Sequence, residues 1–210
     1  MKYEWRKAEK KFYLPATNPE LIEIPQMNYF IIDGKGNPND EFFGQYIQAL
    51  YTLSYSIKMS PKKNNAPDNY FDYTVYPLEG VWDLTDAAKN LYNGSFNKND
   101  LIFRLMIRQP NFVNENYAKE IIEKTQKDNL GNPLIAKTTF ETLNEGLCVQ
   151  MTHIGSYDDE PASFAKMEQF CEKSNLIRAK MTHKEIYLSD PRRTETSKLK
   201  TALRIEVKNK

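Results

Sequence analysis

Cysteine is scarce in this chain: Cys148 and Cys171 are the two in 210 residues, and no metal-type spacing links them to each other or to His153 and His183. That pattern excludes a disulfide scaffold and gives no support for zinc, so neither a metal nor a cofactor is expected. Cys148 follows the strand-like Gly146-Leu147 and Cys171 lies on a helical pattern, so both read as core thiols. No apolar run approaches the roughly eighteen residues of a membrane span, and Met1-Lys2-Tyr3-Glu4-Trp5-Arg6 lacks the apolar stretch of a signal peptide. A cytoplasmic location without a membrane partner is the expectation. The formal net charge is +1, with basic residues scattered among acidic ones, so no direct nucleic-acid partner is expected. There is no Gly-x-Ser-x-Gly elbow and no phosphate loop, which removes the common nucleophile and nucleotide chemistries.

Aromatic residues are abundant: 13 Tyr and 11 Phe against 2 Trp. Tyrosine joins an apolar body to a polar tip and suits half-wet pockets as well as strands. Residues 24–32 read as a strand, followed by the turn Gly34-Lys35-Gly36-Asn37-Pro38-Asn39. Asn39 or Asp40 is placed to cap a helix of about 40–58, where Phe43, Tyr46, Ile47, Leu50, Leu53 and Ile57 recur at helical spacing. Strands are predicted at Tyr70 to Leu78 and Leu101 to Ile107. The second half repeats the order. A helix at about 114–127 is broken by Gly131-Asn132-Pro133, and a strand runs from Leu147 to Ile154. A Gly-turn at 155–159 leads into a helix over 160–175, with Phe164, Met167, Phe170 and Cys171 inward. Strands at 183–189 and Leu203 to Val207 complete it.

Strand, Gly-turn, helix, strand, strand thus occurs twice. The turns align without a gap, Gly36-Asn37-Pro38-Asn39-Asp40-Glu41 over Gly155-Ser156-Tyr157-Asp158-Asp159-Glu160. The fold class expected is α+β, with tandem strand-helix-strand-strand repeats, an antiparallel sheet and helices. The repeats cover about 22–110 and 145–208 of one domain spanning 1–210. Two such units side by side, related by a pseudo-twofold axis, would leave a central ligand cleft.

His183-Lys184-Glu185-Ile186-Tyr187-Leu188 is the most telling segment. Alternation puts Ile186 and Leu188 on one face and His183, Glu185 and Tyr187 on the other. A mid-strand Glu is disfavoured by propensity and costly to bury. Glu185 has three readings: a counter-charge for cationic aromatic ligands, a general base acting on water, or a surface carboxylate paired with a nearby Lys. Tyr187 is either a pocket wall or a cross-strand packing ring. Trp82, after Gly80, either floors a pocket or plugs the core. Tyr157 sits in the second Gly-turn, beside two acids placed to cap the helix. Tyr70 and Tyr76 share a strand face opposite Tyr73, and Tyr46 and Tyr51 lie on the first helix.

Four stretches resemble the stand-alone bacterial GyrI-like small-molecule-binding proteins: Phe71 to Trp82, Gly146 to Met151, Tyr157 to Pro161, and the Glu185-Ile186-Tyr187-Leu188-Ser189-Asp190-Pro191-Arg192 block. The resemblance implies tandem repeats around an aromatic pocket with one buried glutamate, matched here by Glu185. It further implies a small-molecule ligand, and hydrolysis of cyclopropane-containing DNA-alkylating toxins by some stand-alone members, using that glutamate and pocket aromatics. On that footing Glu185 and Tyr187 are the expected catalytic residues, and Trp82, Tyr157, Tyr70, Tyr46, Tyr51 and Tyr76 the expected ligand-binding ones. Regulator members of the family carry a DNA-binding helical domain, for which this chain shows no room. The alternatives are a non-catalytic drug-binding sensor and a gyrase-inhibitor-like protein-interaction module.

Overall fold

The computed structural model describes residues 2–91 and 95–210. Its strands are β1 (Glu20–Ile24), β2 (Met27–Lys35), β3 (Leu78–Leu84), β4 (Leu101–Gln109), β5 (Thr139–Leu143), β6 (Gly146–Ile154), β7 (Leu176–Arg178), β8 (His183–Tyr187) and β9 (Lys200–Asn209). The longer helices are α1 (Glu41–Lys58), α2 (Glu115–Asp128) and α3 (Glu160–Lys173). The fold is α+β. Among the described residues no helix is long and apolar enough to cross a membrane.

The chain divides into two compact units, Met1–Glu4 with Met27–Leu143, and Trp5–Gln26 with Asn144–Lys210. In the first, β4 pairs with β3 and β2, and β2 pairs with β5, all antiparallel. In the second, β9 pairs with β8, β6 and the short β7, and β6 pairs with β1, again antiparallel. Each unit therefore orders its three repeat strands identically, second–third–first. Each also adds one outer strand from outside the repeat, β5 in the first unit and β1 in the second.

The two Gly-turns match bond for bond. Gly36 N–H donates to the Leu101 carbonyl at 2.8 Å, and Gly155 N–H to the Leu199 carbonyl at 3.0 Å. Asp40 N–H reaches the Asn37 carbonyl at 3.1 Å, as Asp159 N–H reaches that of Ser156 at 3.0 Å. Both glycines need positive φ, +114° and +130°, which L side chains rarely adopt. Capping differs from the expectation. Asp40 and Asp159 occupy the N-cap positions without side-chain cap bonds. Asn37 and Ser156 bond instead to the N–H groups two residues on, tightening the turn before the helix begins.

The helices start and end close to the sequence reading, and Asn114 caps α2 through the Tyr117 N–H at 2.9 Å. One strand was misplaced: Tyr70 to Leu78 is not continuous strand, and its sole ladder contact before Leu78 is an isolated bridge from Tyr73 to Tyr3. Pro77 cannot donate to a ladder. The Tyr70 and Tyr73 hydroxyls bond to the carbonyls of Lys58 and Ser54, at 2.8 and 3.5 Å, so this stretch is tied to α1 by side chains. The second unit's core is built on Val149, Met151, Met167, Cys171, Leu203 and Ile205. Both cysteines are free and buried, as expected; Phe164 and Phe170 are only partly buried against this core.

On the face of β8 that bears Lys184, a buried ion cluster joins strands of the second unit. Glu145 accepts from Lys184 Nζ at 2.5 Å and from Arg204 Nη1 at 3.4 Å. Arg204 also donates to the Phe12 carbonyl at 2.5 Å and to Gln150 Oε1 at 3.0 Å. Burial pushes the Glu145 carboxyl up, but the Lys184 and Arg204 charges outweigh it and hold it at about 2.

Two outcomes are expected. Gly155→Ala places a Cβ no nearer than 3.7 Å to any neighbour, so its cost is backbone strain alone; urea unfolding should show a loss of about 1–3 kcal/mol. Glu145→Gln leaves two buried cations short of a counter-charge and should cost about 3–5 kcal/mol. Because the folded pKa of Glu145 lies below its ordinary 4.5, its contribution is complete above that value and is lost as pH falls toward about 2. The acid limb of stability should accordingly be shallower in Glu145→Gln than in the wild-type protein.

Candidate functional site

Strand β8 pairs with β9 in the register Lys184↔Arg204, Glu185↔Leu203, Ile186↔Ala202 and Tyr187↔Thr201. Lys184 and Ile186 are buried on one face; His183, Glu185 and Tyr187 share the other, as the alternation predicts. Glu185 is 8% exposed, so its carboxylate is almost wholly withdrawn from water. It is held at both oxygens. Tyr187 OH donates to Oε2 at 2.7 Å, and His183 Nε2 lies 3.0 Å from Oε1, where an Nε2–H donates to the carboxylate. The His183 ring packs edge-on against Phe164 of α3, centroids 4.6 Å apart. Tyr157, 37% exposed, meets the Tyr187 ring edge-to-face at 6.0 Å. The result is a buried carboxylate flanked by half-open aromatic rings, with Tyr157, Glu185 and Tyr187 side by side.

The sequence reading missed a second carboxyl. Glu160, the first residue of α3, is only 5% exposed and its Oε1 has no hydrogen-bond partner among the described residues. One ligand-type atom each from Glu160, His183 and Glu185 lie within 4.8 Å of one another. Two like charges that close repel by roughly 3–4 kcal/mol at an effective dielectric constant of about 20. Burial, then the charge and hydrogen bonding of Glu185, then Asp158, push the Glu160 carboxyl well above the usual range. Tyr157 is also pushed up, to about 12, by burial and by the negative charges of Glu185, Glu160 and Asp190. The sequence signals for Glu160 are its alignment with Glu41 and its place in the Tyr157 to Pro161 stretch. Glu41 is exposed, so nothing in the sequence marks Glu160 as buried.

His153 fixes the turn that delivers Glu160. It is 5% exposed, its Nε2 2.9 Å from the Ser156 carbonyl and its Nδ1 2.9 Å from Ser163 Oγ. A carbonyl only accepts, so Nε2 carries a proton and donates it to Ser156, while Nδ1 shares a hydrogen bond with the Ser163 hydroxyl. The Gly-turn and the first turn of α3 are thereby locked to β6.

The first unit fills the equivalent corner differently. The shared Gly-turn bonds equate Leu199 with Leu101, hence Thr201 with Phe103 and Leu203 with Leu105. Their ladder partners then equate Tyr187 with Trp82 and Glu185 with Gly80. Trp82 packs against Phe103 at 5.5 Å and Phe43 at 5.9 Å, and Tyr46 meets Phe103 at 5.2 Å. Gly34 permits this cluster, since a Cβ there would sit 2.3 Å from the Phe103 ring and 2.8 Å from Tyr46. Where one repeat carries an acid cluster, the other carries packed rings.

The remaining expected residues stand in the first unit in other surroundings. Tyr70 packs on Phe112 at 5.2 Å. Tyr76, 3% exposed, lies under the Arg108 guanidinium at 4.7 Å and beside Tyr73 at 6.4 Å. Tyr51 neighbours Tyr55 at 6.4 Å and lines an open groove of about 590 Å³ with Met59 and Lys63.

The chain is similar over its whole length to solved proteins of Listeria innocua. A protein described as a hydrolase shares 35% identity at a TM-score of 0.87, and a second hydrolase structure from that organism 35% at 0.89; each comparison covers 99% of this chain and 100% of the other. The C-terminal domain of EcmrR matches at 14% identity and a TM-score of 0.52, covering 92% of this chain and 98% of that one, a likeness of fold alone. Comparison with curated protein sequences gives no match. The model of the GyrI-like small molecule binding domain matches residues 17–208. This chain belongs to the GyrI-like small-molecule-binding family.

Proposed function

We propose that the Glu185 cluster binds hydrophobic, aromatic or cationic small molecules and hydrolyses electrophilic cyclopropanes of the kind carried by DNA-alkylating toxins. The observation that carries this reading is the buried Glu185 carboxylate, held by Tyr187 and His183 beside the half-open Tyr157 ring. The whole-length similarity to Listeria proteins described as hydrolases supports the reaction class.

Glu185 acts as the general base. A water oxygen attacks a ring carbon of the cyclopropane while Glu185 takes the water's proton. The ring C–C bond breaks, and its electron pair passes to the electron-withdrawing group that activates the ring. That group then takes up a proton, so the net change is addition of water across one C–C bond. Ring strain supplies much of the driving force, and the site has mainly to orient water and electrophile. Tyr187 and His183 keep both carboxylate oxygens fixed. Tyr157 offers a ring surface to a planar ligand.

One feature favours a second reading, binding without turnover. Tyr187 and His183 hold the Glu185 carboxylate in place at both oxygens, which suits a stationary counter-charge for an aromatic cation.

Incubation with a cyclopropane-bearing alkylator, followed by detection of ring-opened product, separates the two readings. Glu185→Gln should lower turnover by about 10²–10⁴-fold, and Tyr187→Phe by about 10–100-fold through loss of one hydrogen bond to a charged group. No product from the wild-type protein, or undiminished turnover in Glu185→Gln, removes the catalytic reading. Saturable binding of an aromatic cation that weakens in Glu185→Gln, without product, establishes the second. Ultraviolet titration checks the geometry without any substrate. With Tyr157→Phe identifying the signal, Glu185→Gln should bring the Tyr157 phenol down from about 12 toward its ordinary 10.0, because one negative charge beside it is gone.

A further inference from the structure

We propose that Glu160 is a positioning residue for Glu185: it carries a proton, donates it as a hydrogen bond to the Glu185 carboxylate, and leaves the pair with a single negative charge. This rests on the reading of Glu185 as the working carboxylate.

The geometry is that of two carboxyl groups sharing one enclosed space. Glu160 and Glu185 are 5% and 8% exposed, and their nearest ligand-type atoms are within 4.8 Å. Among the described residues, no Lys or Arg pairs with either; the ion pair recorded for Glu185 is with His183. Glu160 Oε1 is buried without a partner, which a fully ionised carboxylate out of water does not tolerate. Something positive must stand between the two groups, and the smallest candidate is a proton.

Among the described residues the surroundings add no Lys or Arg beside the pair, and His183 is the neighbouring group that can carry a positive charge. Glu185 and His183 face Glu160 from β8, and Asp158 and Tyr157 from the Gly-turn. On β6, His153 is engaged with Ser163 and the Ser156 carbonyl. On β7, Arg178 is directed to Glu168, 3.8 Å away and two turns further along α3. The helix N-terminus favours an anion at Glu160, but burial and the neighbouring acids oppose it.

With the proton on Glu160, Glu185 accepts from three directions: Tyr187, His183 and Glu160. A carboxylate offers about four lone-pair sites, so one remains for a water or a ligand donor, and its direction is set by the other three. Glu160 does not touch the reacting atoms. It selects which lone pair is left to do so.

Infrared difference spectra across a pH titration of the whole protein test the proton directly. The wild-type protein should show a protonated-carboxyl stretch that is lost only at alkaline pH. The band should be absent in Glu160→Gln and lost at lower pH in Glu185→Gln. Turnover tests the positioning role. Glu160→Gln still donates a hydrogen bond and should stay within about threefold of the wild-type rate, whereas Glu160→Ala should fall about 10-fold or more. The wild-type rate should drop where the band disappears, and Glu160→Gln should not show that drop. Spectra indistinguishable between wild type and Glu160→Gln, or an alkaline drop retained in Glu160→Gln, overturn the proposal. So does stoichiometric binding of Zn²⁺ or Mn²⁺ that is lost in both Glu160→Gln and Glu185→Gln, since a metal ion would then stand where the proton is placed. A protein with the band but no turnover refutes the catalytic reading of Glu185 while upholding the carboxyl–carboxylate pair.

Discussion

The buried Lys184–Glu145–Arg204 cluster decides which way β8 faces, and the site follows from that. Lys184 lies opposite Arg204 in the β8–β9 ladder, and both reach Glu145 on the same side. Strand side chains alternate, so anchoring Lys184 there sends Glu185 to the other side, toward the start of α3. A one-residue slip would exchange the faces, burying Glu185 beside Glu145 and taking Lys184 from its counter-charge. Such a register error costs several charges at once, which is why an ion cluster specifies orientation more firmly than an apolar patch would.

The second constraint is the Gly-turn. Gly155 takes a conformation open to few other residues, and His153 ties the turn to α3 through Ser156 and Ser163. Together they carry Glu160 to the carboxylate that β8 presents. The acid cluster is thus made from one strand and one helix start, each held by polar contacts lying outside the cluster itself. This arrangement accounts for two acids coexisting in a nearly dry space: the scaffold, not their mutual attraction, keeps them together.

Comparison of the two repeats shows how one local framework serves two ends. The turn bonds and ladder registers coincide, yet the position of Glu185 is Gly80 in the first unit and that of Tyr187 is Trp82. There Gly34 makes space for rings, and Phe43, Trp82 and Phe103 pack together. The chemistry of the second unit is a decoration of a frame that the first unit uses for packing.

The sequence by itself determined the repeat, its turns and the face that Glu185 shares with His183 and Tyr187. These depend on local rules: positive φ at glycine, helical spacing over α1 and α3, alternation in β8. It failed at Tyr70 to Leu78, where side-chain bonds to α1 and Pro77 override a strand-like pattern. The tertiary structure alone decided that Glu160 is buried. Glu41 and Glu160 occupy the same place in aligned turns, and one is exposed while the other meets Glu185. No local pattern separates them, because burial of a helix-start carboxyl depends on which strand crosses in front of it, and that is set by pairing between residues far apart in the chain.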